Sequence, residues 1–284
     1  MDSTNVCRPD LTAITTIGLD HMAILGTTLA DIAVQKAGII KERVPVVTGK
    51  ISSEALAVIH TIAQECQALH IRYKKDYQVE SMQGLEEGEK FRFSNAFRRK
   101  EDYQTVLLGV HQVENAGLAI ELCDQYCSLK GLPLLSENEV RRALKRTYWP
   151  ARLEKISKAP LILLDGAHNP HALKALLASL ESHFPDYQKM ILFTCIQTKA
   201  LDEMLALLKM VPTSRVLLTT FEDSRSFSTG EMQCWAKREK LAYVEWLPYL
   251  EQYKKAKHGE KELLLITGSL YFLAEVRKYL LNDR

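Results

Sequence analysis

After Trp149-Pro150, short apolar runs alternate with segments of helical period, and that alternation leaves little choice of fold. The runs Leu161–Leu164, Met190–Thr194, Arg215–Thr220, Ala242–Trp246 and Leu263–Thr267 read as buried strands. The helical segments between and after them centre near residues 176, 206, 235, 253 and 276. Strands joined through helices form right-handed βαβ units, so residues 150–284 are predicted to build an α/β domain with a mainly parallel sheet.

Residues 1–149 read differently. Leu11–Ile17 is an apolar strand ending at Gly18, a helix runs from about Thr28 to Gly38, and Val44–Thr48 is a second strand. Ser52 or Ser53 then caps another helix. From about Ile71 to Leu108, charged and aromatic residues mix with turn signals at Gln83-Gly84 and Glu87-Gly88, which suggests antiparallel strands. A helix is expected from about His111 to Leu129, stopped by Gly131 and Pro133. Another spans Glu137 to about Tyr148, with Ser136 and Glu139 in capping-box positions. Trp149-Pro150 breaks the pattern and marks the domain boundary.

Composition narrows the function. The chain has 284 residues, 46% hydrophobic and 25% charged, enough for two domains with a core in each. A net charge of +2 gives no electrostatic drive toward nucleic acid or an anionic membrane. Runs such as Leu161-Ile162-Leu163-Leu164 are too short to span a bilayer, and Met1-Asp2-Ser3 shows no secretory signal. The six cysteines are scattered and read as reduced thiols of a cytoplasmic protein.

Three stretches carry the chemistry: Gly18-Leu19-Asp20-His21, Asp165-Gly166-Ala167-His168-Asn169-Pro170-His171 and Thr267-Gly268-Ser269-Leu270-Tyr271. Each follows an apolar strand and leads toward a helix, the place where α/β proteins collect ligands. His21 is either a ligand or a structural hydrogen bonder. Lys36, between Gln35 and Ala37 on a helix packed on a sheet, is expected to be partly buried, which would lower its amine pKa, or else to snorkel. Asn115, beside His111 and Gln112, offers the donor and acceptor that suit adenine, or forms an ordinary polar helix face. Arg152 is placed to clamp a phosphate, or to make a salt bridge to Glu154 or another carboxylate. Asp165 and His168 flank a strand–loop–helix turn in which Asn169 caps and Pro170 opens the helix. Ser269 ends the last strand at a turn whose backbone N–H groups favour a carboxylate or phosphate.

In this order and spacing the motifs resemble the folylpolyglutamate synthase/dihydrofolate synthase family of the Mur ligase superfamily. The resemblance runs nearly end to end. It includes Asp2-Ser3-Thr4-Asn5-Val6, Ile14–His21, Leu25–Leu29, Lys36-Ala37-Gly38-Ile39-Ile40-Lys41, Asn115-Ala116, Arg152-Leu153-Glu154, Asp165–His171 and Thr267-Gly268-Ser269. It implies a Mur-type central ATPase domain, followed by a Rossmann-like glutamate ligase domain. It also implies an ATP-dependent enzyme that activates a pteroyl carboxylate as an acyl phosphate and joins it to the amine of L-glutamate. By the same resemblance, His21 holds a metal ion, and Lys36, as a carbamate, supplies a carboxylate-like group beside it. The ion would be Mg2+, with K+ as a second candidate. Asn115 would meet adenine, Arg152 the ATP phosphates, Asp165 the ATP ribose, and His168 and Ser269 the incoming glutamate. The acceptor would be folate or dihydropteroate, with no nucleic-acid or membrane partner, and the complete protein a monomer.

Two departures stand out. The chain contains no Gly-x-x-x-x-Gly-Lys-Ser/Thr phosphate loop. Thr198-Lys199-Ala200-Leu201-Asp202 stands where the family carries a compact Asp-Lys-Asp cluster. The expectation is therefore an N-terminally truncated chain, with residues 1–149 the C-terminal part of the central ATP-binding domain and with no ligation activity of its own. The alternatives are a non-catalytic nucleotide- or partner-binding remnant, or a Mur-type ligase joining another acid and amino acid.

Overall fold

The computed structural model describes residues 3–18, 26–85 and 87–282, so His21 lies outside the described residues. The chain divides into two compact units, Met1–Thr147 and Tyr148–Arg284.

The first unit contains two small sheets. β1 (Thr12–Ile14), β2 (Val46–Thr48) and β3 (His70–Arg72) pair in that order, all parallel. The apolar run Leu11–Ile17 yields only three strand residues. α1 (Leu29–Ala37) starts at a capping box in which Thr28 accepts from the Asp31 N–H and Asp31 accepts from the Thr28 N–H. With α2 (Ser53–Glu65), it buries Ile32, Ala33, Ile59 and Ala63 against Ile14 and Val46. β4 (Gln78–Leu85), β5 (Gly88–Ser94) and β6 (Glu101–Thr105) then form the expected antiparallel meander. On β5, Phe91 and Phe93 face inward while Lys90 and Arg92 alternate outward, the period-2 pattern of a sheet covered on one face. α3 (Val110–Lys130) covers that face and ends at Gly131, whose φ of 63° completes a left-handed cap. α4 (Glu137–Arg146) opens at the Ser136/Glu139 capping box that the sequence predicts.

The second unit is one six-stranded sheet in the order β11-β10-β9-β12-β8-β7. Its strands are β7 (Glu154–Lys158), β8 (Leu161–Asp165), β9 (Gln188–Phe193), β10 (Ser214–Leu218), β11 (Ala242–Tyr243) and β12 (Glu262–Thr267). All neighbours are parallel except β7, which runs antiparallel to β8. The connecting helices are α5 (Pro170–His183), α6 (Leu201–Lys209), α7 (Thr229–Glu239), α8 (Trp246–Lys255) and α9 (Leu270–Asn282). On one face Leu164, Leu192 and Ile266 pack on Phe272, Leu273 and Val276 of α9. Leu163, Ile191 and Leu265, one residue out of phase, are also fully buried, so both faces are covered as a parallel sheet requires.

Two strand expectations need correction. Ala242–Trp246 is a strand only at Ala242–Tyr243, because Trp246 begins α8 and its ring packs edge-on against Phe272 at 6.0 Å. β7 was not expected, since Glu-Lys-Ile-Ser-Lys carries a single apolar residue, Ile156. No helix among the described residues is long and apolar enough to cross a membrane.

Candidate active site at the carboxyl edge of the six-stranded sheet

β12 lies between β8 and β9, and the register aligns Thr267 with Asp165 on one side and with Phe193 on the other. The carboxyl ends of three parallel strands therefore stand level. β12, the last strand in sequence, is inserted between β8 and β9, so the strand order reverses here, the position at which open α/β sheets bind ligands. Thr267 Oγ1 donates to the Ala167 carbonyl at 3.3 Å and Thr194 N to the Thr267 carbonyl at 3.4 Å, which ties the three loops together.

The β12 turn is shaped by Gly268. Its φ is +111°, and a Cβ there would lie 2.0 Å from the Thr194 carbonyl oxygen. The turn delivers Ser269, buried at 3% exposure, to the start of α9, where its carbonyl accepts the first helical hydrogen bond from Leu273 N at 3.0 Å. The β8 loop delivers Asn169, which caps α5 by accepting from Ala172 N at 2.8 Å, with Pro170 as first helical residue. Two helix N-termini thus begin at the same sheet edge, each with a positive dipole end. His168 Nδ1 sits 2.8 Å from the Gly166 carbonyl. A carbonyl only accepts, so Nδ1 carries the hydrogen and Nε2 is the ring's basic nitrogen. Thr194 Oγ1 is buried in the same region with no hydrogen-bond partner.

Arg152 is presented by a strained turn. Ala151 and Leu153, on either side of it, have φ of 56° and 44°, the left-handed region that costs a non-glycine residue about 1–3 kcal/mol. Two buried carboxylates hold this turn. Asp165 Oδ2 accepts from Leu153 N at 2.9 Å, and Glu154 Oε2 accepts from Ala151 N at 3.0 Å. Gly166 N in turn donates to the Ala151 carbonyl at 2.8 Å. The Arg152 guanidinium lies against Gly166, where a Cβ would come within 2.8 Å of Nη1. Asp165 Oδ1 accepts from Ala167 N at 2.9 Å, so one carboxylate clasps two loops. Burial pushes its carboxyl up to about 6, opposed by those two N–H groups and by the charge of Arg152.

Arg152, Asp165, His168 and Ser269, far apart in sequence, thus share one edge of the second unit. Lys36 and Asn115 belong to the first unit. Lys36 stands exposed on α1, so the burial that the sequence suggested for its amine is absent: Ala33 and Ala37 take the inward positions. Asn115 is exposed on α3 and donates to Gln112 Oε1 at 3.2 Å. The salt bridge considered between Arg152 and Glu154 is replaced by one between Glu154 and Arg277, with the Arg277 Nε 3.0 Å from both carboxylate oxygens. Arg277 is 123 residues away from Glu154, and nothing local in the sequence signals it. Among the described residues, no group of three His, Cys, Asp or Glu side chains is placed to hold a metal ion.

A ligase-type Rossmann-like unit, with its cationic and helix-terminal groups on the carboxyl edge, matches what comparison with known proteins finds. Residues 151–270 match the Mur ligase, glutamate ligase domain, and residues 2–123 match the Mur ligase middle domain. The chain is 33% identical over 279 residues to the dihydrofolate synthase/folylpolyglutamate synthase of Bacillus subtilis, covering 98% of this chain and 64% of that protein. It is 38% identical over 183 residues to the folylpolyglutamate synthase of Lacticaseibacillus casei, covering 64% of this chain and 42% of that one. A solved FPGS-AMPPCP-folate complex superposes with a TM-score of 0.79 at 30% identity, over 99% of this chain and 63% of that chain. The folylpolyglutamate synthase of Thermotoga maritima gives 0.79 at 29% identity, over 99% and 63%. The chain belongs to the folylpolyglutamate synthase/dihydrofolate synthase family of the Mur ligases. It spans less than two thirds of the length of these relatives.

Proposed function

We propose that this chain serves the ATP-dependent ligation of L-glutamate to folate, with dihydropteroate as a second acceptor, in the cytoplasm. The observation that carries the reading is the gathering of Arg152, Asp165, His168 and Ser269 on one sheet edge between two helix N-termini. ATP would supply the phosphoryl group that turns the acceptor carboxylate into an acyl phosphate, with ADP as the leaving group. Arg152 neutralises phosphate charge, and the Asp165 carboxylate faces the ribose while clasping the two loops. The N-termini of α5 and α9, with Ser269, attract the carboxylates of glutamate. His168 Nε2 takes a proton from the glutamate ammonium, and the amine nitrogen then bonds the acyl carbon as the carbon–oxygen bond to phosphate breaks. Asn115 is assigned to adenine, and His21 with carbamylated Lys36 to the metal. Because Lys36 is exposed, its carbamate would owe its stability to a bound ion and not to burial. Residues 1–149 are assigned to the central ATP-binding domain and 150–284 to the glutamate ligase domain.

The test is a chimera in which this chain replaces the matched part of the Bacillus subtilis relative. ADP release that requires both folate and glutamate, and that falls by about 10²-fold or more in Arg152→Ala and Ser269→Ala, supports the reading. Release driven by another amino acid in place of glutamate would overturn it. Mg·ATP binding without any amino-acid-dependent release would favour a nucleotide-binding remnant.

A further inference from the structure

Arg152 and Glu154 carry opposite charges two residues apart, in a turn that brings their backbones together. Among the described residues Glu154 nevertheless pairs with Arg277 of α9 and not with Arg152. The Glu154 carboxylate is buried and saturated. Oε1 accepts from the Tyr148 hydroxyl and from Arg277 Nε, and Oε2 from Ala151 N and Arg277 Nε. A carboxylate in that position requires a counter-charge, because an uncompensated buried charge is strongly disfavoured. On the same turn the alternative counter-charge is Arg152, since Lys155 follows Glu154 on β7, where successive side chains point to opposite faces. Instead, the Arg152 guanidinium reaches the Ala151 carbonyl through Nη1 at 3.2 Å and lies over Gly166, at the loop that leads to His168.

We propose that Arg277 is a positioning residue for phosphate binding: it takes the Glu154 charge that would otherwise close on Arg152, and through Glu154 it fixes the turn that presents the Arg152 guanidinium. The inference rests on the reading of Arg152 as a phosphate ligand. Arg277 touches no phosphate itself; it acts through Glu154 and the Ala151 N–H. Its removal leaves Glu154 with two outcomes, protonation or capture of Arg152, and capture silences the site. Removing the Glu154 charge as well frees Arg152 again. A residue that only stabilised the fold would not show that reversal.

The experiment measures phenylglyoxal modification of Arg152 by mass spectrometry in the full chain, with Trp fluorescence as the folding control. Modification should slow by about 10-fold in Arg277→Met and return to within about 3-fold of wild type in Glu154→Gln/Arg277→Met, as charge pairing and its release predict. Arg277→Lys, which keeps the charge, should stay near wild type. Unchanged labelling in Arg277→Met, or a double variant as slow as the single one, would overturn the proposal. If Arg277→Met does not fold, Arg277→Gln is scored by the same rule. A second arm asks whether Mg·ATP protects Arg152 in the wild type. No protection removes the phosphate-ligand reading, while the labelling rates still decide whether Arg277 controls Arg152.

Discussion

His60 and His70 meet through their Nδ1 atoms, 3.2 Å apart, while His70 Nε2 contacts Thr48 Oγ1 at 3.0 Å. One Nδ1 must donate and the other accept, so the two rings cannot both be protonated. Burial is the largest cause that lowers the His70 pKa from 6.5 to about 4, and the charge of His60 adds to it. The unfolded chain then binds more protons than the folded one between pH 4 and 6.5. Stability therefore rises with pH across that window and is lost as pH falls through it, by up to about 3 kcal/mol. Hydrogen exchange of the α2 and β3 amides at pH 4.5 and 7 should show this, and His70→Gln should flatten the difference. An equal pH dependence in the variant would remove His70 as its cause.

Asp165 works in the opposite sense. Its folded pKa, pushed up to about 6 from 3.8, means that the folded chain binds the proton more tightly. Its contribution is complete below pH 3.8 and is lost as pH rises through 6, at about 3 kcal/mol or less. All three tryptophans, Trp149, Trp235 and Trp246, lie in the second unit, so their fluorescence follows that unit alone. Urea midpoints by Trp fluorescence should fall between pH 4.5 and 7, and Asp165→Asn should remove that slope whatever it does to the midpoint itself. A slope that survives the substitution would mean another group carries it.

Gly268→Ala tests the turn that delivers Ser269. The new methyl group would sit 2.0 Å from a backbone oxygen, with φ at +111°, so neither neighbour nor backbone can yield cheaply. A loss of about 2–4 kcal/mol is expected from strain and overpacking together. Gly230→Ala, on α7 with open space around it, should move the other way by about 0.5–1 kcal/mol. Urea unfolding of both variants by Trp fluorescence gives the comparison. A Gly268→Ala protein within about 0.5 kcal/mol of wild type would show that the turn relaxes easily.

The part of the fold legible in the sequence was the part written in local pattern. Strand–helix alternation after Pro150, the Ser136/Glu139 cap and the Asn169-Pro170 start are all found where the residues put them. Asp165, His168 and Ser269 were visible for the same reason, since each stands at a strand–turn–helix transition, whereas Arg152 stood out only as the cation that follows the Trp149-Pro150 break. What local pattern could not give was pairing across the chain. Glu154 finds Arg277 at a separation of 123 residues, and β7 is a strand because it pairs with β8, not because its residues demand it. The sequence leaves Lys36 between partial burial and snorkelling, and its exposed side chain fits the second. Its neighbours Ala33 and Ala37 are buried, as the helix pattern says, but a residue one step from a buried position points outward.

A last prediction concerns the buried ion pair of the first unit. Arg98 and Asp124 are 5% and 1% exposed at their side chains, joined at 2.7 Å through both Nε and Nη2. Arg98 Nη2 also donates to the Leu135 carbonyl at 2.8 Å, and Asn95 Nδ2 reaches both Asp124 and Glu121. The pair therefore pins the loop between α3 and α4 to the meander. Burying two charges is itself costly, and the attraction between them roughly repays it, so the pair contributes little net stability over an apolar replacement. Breaking it is another matter. Arg98→Met leaves the Asp124 carboxylate buried without its cation, at about 3–5 kcal/mol, whereas Asp124→Ala leaves the guanidinium the partly exposed Glu101, 3.5 Å from Nη1, and should cost less. Arg98→Met/Asp124→Leu leaves neither, and should cost clearly less than the two single changes combined. Far-UV circular dichroism during urea unfolding follows both units and Trp fluorescence the second alone, so the change seen by the first probe and not by the second belongs to the first unit. Additive single and double losses would mean that the two side chains act independently, and that the bidentate geometry carries no coupling.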